Sequence, residues 1–210
     1  MAKKIEKQKH AEKGCPFGFR FDDGVVLPAN PSLQDAVDVY VRGYRPYLAN
    51  VLALYVNRSF DEALEAAAHA CCPICGRRYG HERRITNDAL TNFHNALLEQ
   101  KMNLLNADSF DTIMDIVGEI GKKISGIGNL TAYDCAMRIG ANLGKLPQKF
   151  VYAHRGATVV VDGHAQHKFP FEAFRPELTR NLKAYEIEDF LCVFHTERKA
   201  GMFTVLNNEE

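Results

Sequence analysis

Ile124-Ser125-Gly126-Ile127-Gly128-Asn129-Leu130-Thr131-Ala132 lies between two stretches of helical periodicity, and its reading decides the fold. Upstream, Phe110, Ile113, Met114, Val117, Ile120 and Ile124 recur at the spacing of one helix face. Downstream, Thr131 is placed to cap a second helix. Asp134, three residues on, makes a capping-box-like pair in a first turn that favours negative charge. Gly126 and Gly128 admit positive φ and leave backbone N–H groups unshielded. Ile127, between them, is expected to plug the turn into the core. Two helices joined by a glycine-bracketed turn, over about 110–145, would offer amides and a helix N-terminus to a phosphate oxygen. The expected contacts are Gly126, Ile127, Gly128, Asn129 and Thr131, with Lys122, Lys123 and Lys145 adding longer-range attraction.

Outward from this centre the pattern stays helical. Residues 1–31 read as an irregular tail and lead-in: five lysines before residue 14, then Gly14, Pro16, Gly18, Gly24, Pro28 and Pro31. Ser32 with Asp35 starts a helix that runs toward Gly43, and Pro46 suits the first turn of another. Ser59 and Glu62 form a capping box for a helix over 60–70, and a further helix covers about 85–105. After the central pair, residues 148–154 read as a short helical turn. Thr158 to Val161, the Asp162-Gly163 turn signal and the chain to Phe169 read as a β-hairpin over about 157–169. Ile187, Phe190, Leu191 and Phe194 share one face of a C-terminal helix over about 178–196. The expected fold class is mainly α: one compact helical domain over 32–210 with a single small β-hairpin near the C-terminus.

Composition sets the outer limits. The 210 residues are 46% hydrophobic and 25% charged, the balance of an ordinary globular protein, with no net charge to draw the whole molecule onto nucleic acid or a membrane. Locally the balance differs: from Glu119 to Arg155 six basic residues face two acidic ones. No apolar run approaches the ~18 residues that span a bilayer, and Met1–Lys13 lacks the apolar stretch of a secretory signal. A cytoplasmic location with reduced cysteines is the expectation.

Gly126-Ile127-Gly128, three residues and then Ala132 resembles the DNA-contacting hairpin of the helix-hairpin-helix (HhH) superfamily, which includes DNA glycosylases, ligases and repair nucleases. Phe150-Val151-Tyr152-Ala153-His154-Arg155 resembles the segment where HhH glycosylases carry an aspartate followed, two residues on, by a histidine. The resemblance implies an α-helical fold that grips DNA. It also shows two departures. The position of the glycosylase lysine is Leu130, which cannot attack a sugar. The position of the aspartate is Tyr152, although His154 keeps its place. The chain thus resembles a divergent relative without the glycosylase lysine and aspartate, and whether it is an enzyme stays open.

Two further clusters carry chemistry. Cys72-Pro73-Ile74-Cys75-Gly76 has the spacing of a zinc knuckle, with His69, Cys71 and His81 nearest to complete it and His69 and His81 taken with the pair as the candidate ligands, so the cofactor is either none or zinc. Against this stands a helix-to-loop junction with small apolar cysteines. Arg77, Arg78, His81, Arg83 and Arg84 form a basic run in which Tyr79 could stack on a base. The leading expectation is a protein that binds DNA or another nucleic acid non-specifically, gripping phosphates through the HhH turn. The alternatives are an HhH-related DNA-processing enzyme with other catalytic residues, and a protein–protein scaffold that uses the fold for packing.

Overall fold

Hydroxyl side chains start four of the helices. In a computed structural model of the chain, the structure describes residues 26–154, 159–161 and 164–207, with backbone alone at 159–161 and 164–166. The tail before residue 26, Arg155 and the turn at 162–163 lie outside the described residues. Helix α1 (Leu33–Val39) begins where the Ser32 hydroxyl accepts from the Asp35 N–H at 3.1 Å and the Asp35 carboxylate accepts from the Ser32 N–H at 2.9 Å. The chain then stays helical. A π segment, Tyr40–Tyr44, runs into α2 (Arg45–Val56), so the break expected at Gly43 does not occur. The Arg45 N–H donates to the Tyr40 carbonyl five residues back. This wider turn lets the helix pass Pro46, which has no N–H to give. Ser59 and Glu62 cap α3 (Phe60–Ala68) and Thr86 caps α4 (Asn87–Glu99). A short α5 (Lys101–Leu105) follows, Gln100 interrupting the helix expected over 85–105.

The described residues form two compact units, where the sequence was read as one domain over 32–210. The unit containing Ala49–Leu146 holds the central helix pair, α6 (Phe110–Gly121), capped by Ser109, and α7 (Asn129–Leu143). Leu64, Leu90, Phe93, Ile113, Val117 and Ile139 are buried in its core. The two helices approach closely: a Cβ on Gly140 would lie 3.2 Å from the Phe110 ring and 2.5 Å from the Lys145 carbonyl oxygen. Gly144, at φ +68°, ends α7.

The unit containing residues 26–48 and 147–207 carries the β structure. Strands β2 (Val159–Val161) and β3 (His164–Gln166) pair antiparallel with Val161 opposite His164, the hairpin expected near 157–169. A second antiparallel pair joins β1 (Phe150–Tyr152) to β4 (Lys168–Pro170), with Val151 opposite Phe169. It replaces the helical turn expected at 148–154. Val151 and Phe169 are both buried there, and the partner lies 18 residues along the chain, beyond the reach of a local pattern. The expected helix over 178–196 is broken into α8 (Pro176–Thr179), α9 (Ala184–Val193) and α10 (His195–Lys199). Leu182 turns inward at the break, and the Glu186 carboxylate accepts from the Lys183 N–H at 2.8 Å to start α9. Tyr40 packs edge-on against Phe190 with ring centres 5.8 Å apart. The chain is therefore mainly α with small β elements. Among the described residues no helix is long and apolar enough to cross a membrane.

Candidate functional site

The turn between α6 and α7 has one strained backbone position. Gly126 adopts φ +94°, whereas Gly128 is extended at φ −93° and does not need its glycine for conformation. Ile127 is only 9% exposed, and its Cγ2 would lie 3.1 Å from a Cβ on Gly121, so it anchors the turn as expected. Ser125, Gly126, Gly128 and Asn129 are exposed around it. Nothing lies within 4 Å of where a Gly128 Cβ would be. Gly128 is itself the N-cap of α7 and supplies no capping side chain.

The expected Thr131–Asp134 cap is therefore absent. Thr131 lies inside the helix and is buried, and the Asp134 carboxylate is engaged by His81 Nε2. Partners at a distance outcompete the local cap. With no side-chain cap, the first turn of α7 has N–H groups for which the helix itself supplies no acceptor.

The lysines do not all gather at this turn. Lys122 donates to Glu119 at 2.6 Å, and Lys123 is exposed. Lys145 lies past the other end of α7, some 20 Å away at helical rise, and its ammonium donates to the Ala107 carbonyl.

Beside α7 lies a polar network that sequence reading did not find. Glu82, in a 3₁₀ turn over His81–Arg84, is fully buried, and both of its oxygens accept from the Arg138 guanidinium of α7 at 2.9 Å. That guanidinium sits 4.4 Å from the centre of the Tyr79 ring. The Tyr79 hydroxyl is 3.3 Å from that of Tyr55, which in turn donates to the Cys71 carbonyl at 3.1 Å. Burial works against the Arg138 charge, but the Glu82 carboxylate overrides it and holds the group well above its ordinary range. His81 is raised as well, chiefly by its hydrogen bond to Asp134 against the opposing effect of burial. Burial pushes the Tyr55 hydroxyl up to about 12 and the Cys135 thiol upward. Glu82 and Arg138 stand 56 residues apart, and the one sequence signal was that Glu82 is the lone acid in a basic run.

His81, Glu82 and Asp134 present ligand atoms within 4.8 Å of one another, the one such cluster of three among the described residues. Its chemistry does not suit a cation. Both Glu82 oxygens are already neutralised by Arg138, which also stands 4.0 Å from Asp134.

Of the residues expected to hold zinc, Cys72 and Cys75 share one turn, while His69 and His81 have other partners. The Cys72–Gly76 segment does form a tight turn: the Gly76 N–H donates to the Cys72 carbonyl at 2.8 Å, the Cys72 N–H to the Arg77 carbonyl at 2.9 Å, and Gly76 takes φ +68°. Cys72, however, is buried with Tyr79, His69 stacks against His94 with ring centres 5.0 Å apart, and His81 turns to Asp134.

No family model, curated protein or solved structure matches this chain.

The basic run also divides. Arg78 donates to the Ile85 carbonyl at 2.8 Å and to the Asn87 side chain at 2.6 Å, and Tyr79, buried beneath Arg138, has no face to offer a base. Arg77, Arg83 and Arg84 are exposed. Of the positions aligned by the glycosylase likeness, Leu130 lies in the first turn of α7, while Tyr152 and His154 belong to the other unit and are buried.

Proposed function

We propose that the protein binds the phosphate backbone of nucleic acid, DNA in the first instance, through an HhH turn and without reading sequence. The observation that carries this reading is the exposed N-terminus of the 15-residue α7, uncapped by any side chain, behind a turn with Gly126 at φ +94° and open space over Gly128. Lys123 lies on the approach, and Ile127 holds the turn in place from beneath. Backbone amides recognise an oxygen of any phosphate, so binding is sequence-independent and salt-sensitive. A cytoplasmic setting belongs to the same reading. Because neither Leu130 nor Tyr152 supplies glycosylase chemistry, the reading is one of binding and asks for no catalytic group.

Anisotropy titration of the full chain with labelled duplex and single-stranded DNA, at two salt concentrations, tests it. Binding at low salt that weakens at high salt, to the same degree for unrelated sequences, is the expected result. Absence of affinity for either probe at low salt overturns it.

A further inference from the structure

The four-residue turn His81–Arg84 divides its charge between two directions. Inward, Glu82 is wholly buried and bidentate to Arg138, and His81 is tied to Asp134, so two side chains of α7 grip the turn. Outward, Arg83 and Arg84 are exposed, and neither makes an ion pair or hydrogen bond among the described residues. A buried ion pair is a weak source of stability, since desolvation offsets much of its attraction; what it supplies is a fixed position. Here the positioned element carries two unpaired guanidiniums.

The helix that follows, α4, meets the hairpin turn at its N-terminal end. A Cβ on Gly126 would lie 3.6 Å from the Cβ of Ala89, in the first turn of α4, five residues after Arg84. Those five residues reach at most about 17 Å, and an arginine side chain adds to that span. Asp88 is the one exposed acid between Arg77 and Ala89. Guanidinium groups form paired hydrogen bonds with phosphate oxygens and, unlike backbone amides, bring full charge.

Resting on the reading of the α6–α7 turn as a phosphate grip, we propose that Arg83 and Arg84 form a second wing of the same surface and bind further phosphates of the same nucleic-acid backbone. The Glu82–Arg138 pair is the positioning device of this wing. Arg83 and Arg84 follow one another in a 3₁₀ turn, about 120° apart around its axis, so they straddle a backbone rather than converge on one phosphate.

The test is the slope of log affinity against log salt for a labelled DNA duplex. The proteins compared are the full wild-type chain, Arg83→Ala/Arg84→Ala, Arg83→Lys/Arg84→Lys and, separately, Gly128→Val. Each lost phosphate contact lowers the slope by about 0.9 for duplex DNA. The double alanine variant is expected to bind measurably but with a slope lower by nearly two, and the double lysine variant to keep the wild-type slope. Both arginines are exposed, so circular dichroism of either variant should match wild type. A wild-type slope in the double alanine variant overturns the wing and leaves the hairpin reading intact if Gly128→Val still weakens binding. Wild-type protein that binds no DNA overturns both.

Discussion

Arg138 carries a charge that water barely reaches, and one residue, Glu82, makes that tolerable. Removing the carboxylate leaves a buried cation without its counter-charge, which costs far more than removing both members. Glu82→Ala is expected to lower unfolding free energy by about 3–5 kcal/mol, and Glu82→Met with Arg138→Met by distinctly less, measured by urea denaturation. Equal losses in the two variants would show that packing, not charge, dominates there. His81 behaves differently, being half exposed. Its pKa is raised in the folded state, so its bond to Asp134 contributes stability that is fully present below the unfolded value near 6.5 and lost as pH rises through the higher folded value. Wild type is therefore expected to exceed His81→Ala in stability at pH 6 by no more than about 1 kcal/mol, with the gap shrinking at pH 9. A gap that widened with pH would contradict the assigned pairing.

The α6–α7 turn sets two glycines in different roles. Gly126, at φ +94°, holds a conformation that side chains resist, and any replacement strains the turn. Gly128, at φ −93° with open space beyond it, accepts a side chain without strain. Both glycines admit positive φ, and only the first uses it. Gly126→Ala should therefore destabilise by about 1 kcal/mol, whereas Gly128→Val strains no backbone, loses the N-cap preference for glycine at a cost of about 0.5–1 kcal/mol, and should weaken DNA binding by covering the amides of α7. Were Gly128→Val to bind DNA like wild type while staying folded, the amides of that turn could not be the phosphate site. The other elements show a similar split. Capping boxes at Ser32 and Ser59 were legible because their partners lie three residues away. The Thr131–Asp134 pair had the same spacing and failed, because His81 reaches Asp134 from 53 residues back.

At the scale of the whole molecule, zero net charge leaves no long-range field, and any attraction for nucleic acid is local. The basic excess along 119–155 overstates it, since Arg138 is offset by Glu82, outside that stretch, and Lys145 is held by a carbonyl past the far end of α7. Affinity for duplex DNA should accordingly respond to a few contacts. Two contacts' worth of counterion release gives about a tenfold drop in affinity between roughly 0.05 and 0.2 M salt, readable by anisotropy. A much steeper fall would require cations outside this surface. By itself the sequence determined the mainly α class, the glycine-bracketed turn between α6 and α7, the helix starts at Ser32 and Ser59 and the hairpin near 157–169, because each depends on residues within a turn or two of one another. Only the tertiary structure decided that Phe150–Tyr152 is a strand, that Tyr79 lies under Arg138 and that His69 and His81 turn to His94 and Asp134. It also decided that Glu82 and Arg138 meet. Those outcomes depend on pairing across 18 to 59 residues of chain, where burial and charge neutralisation outweigh any local preference.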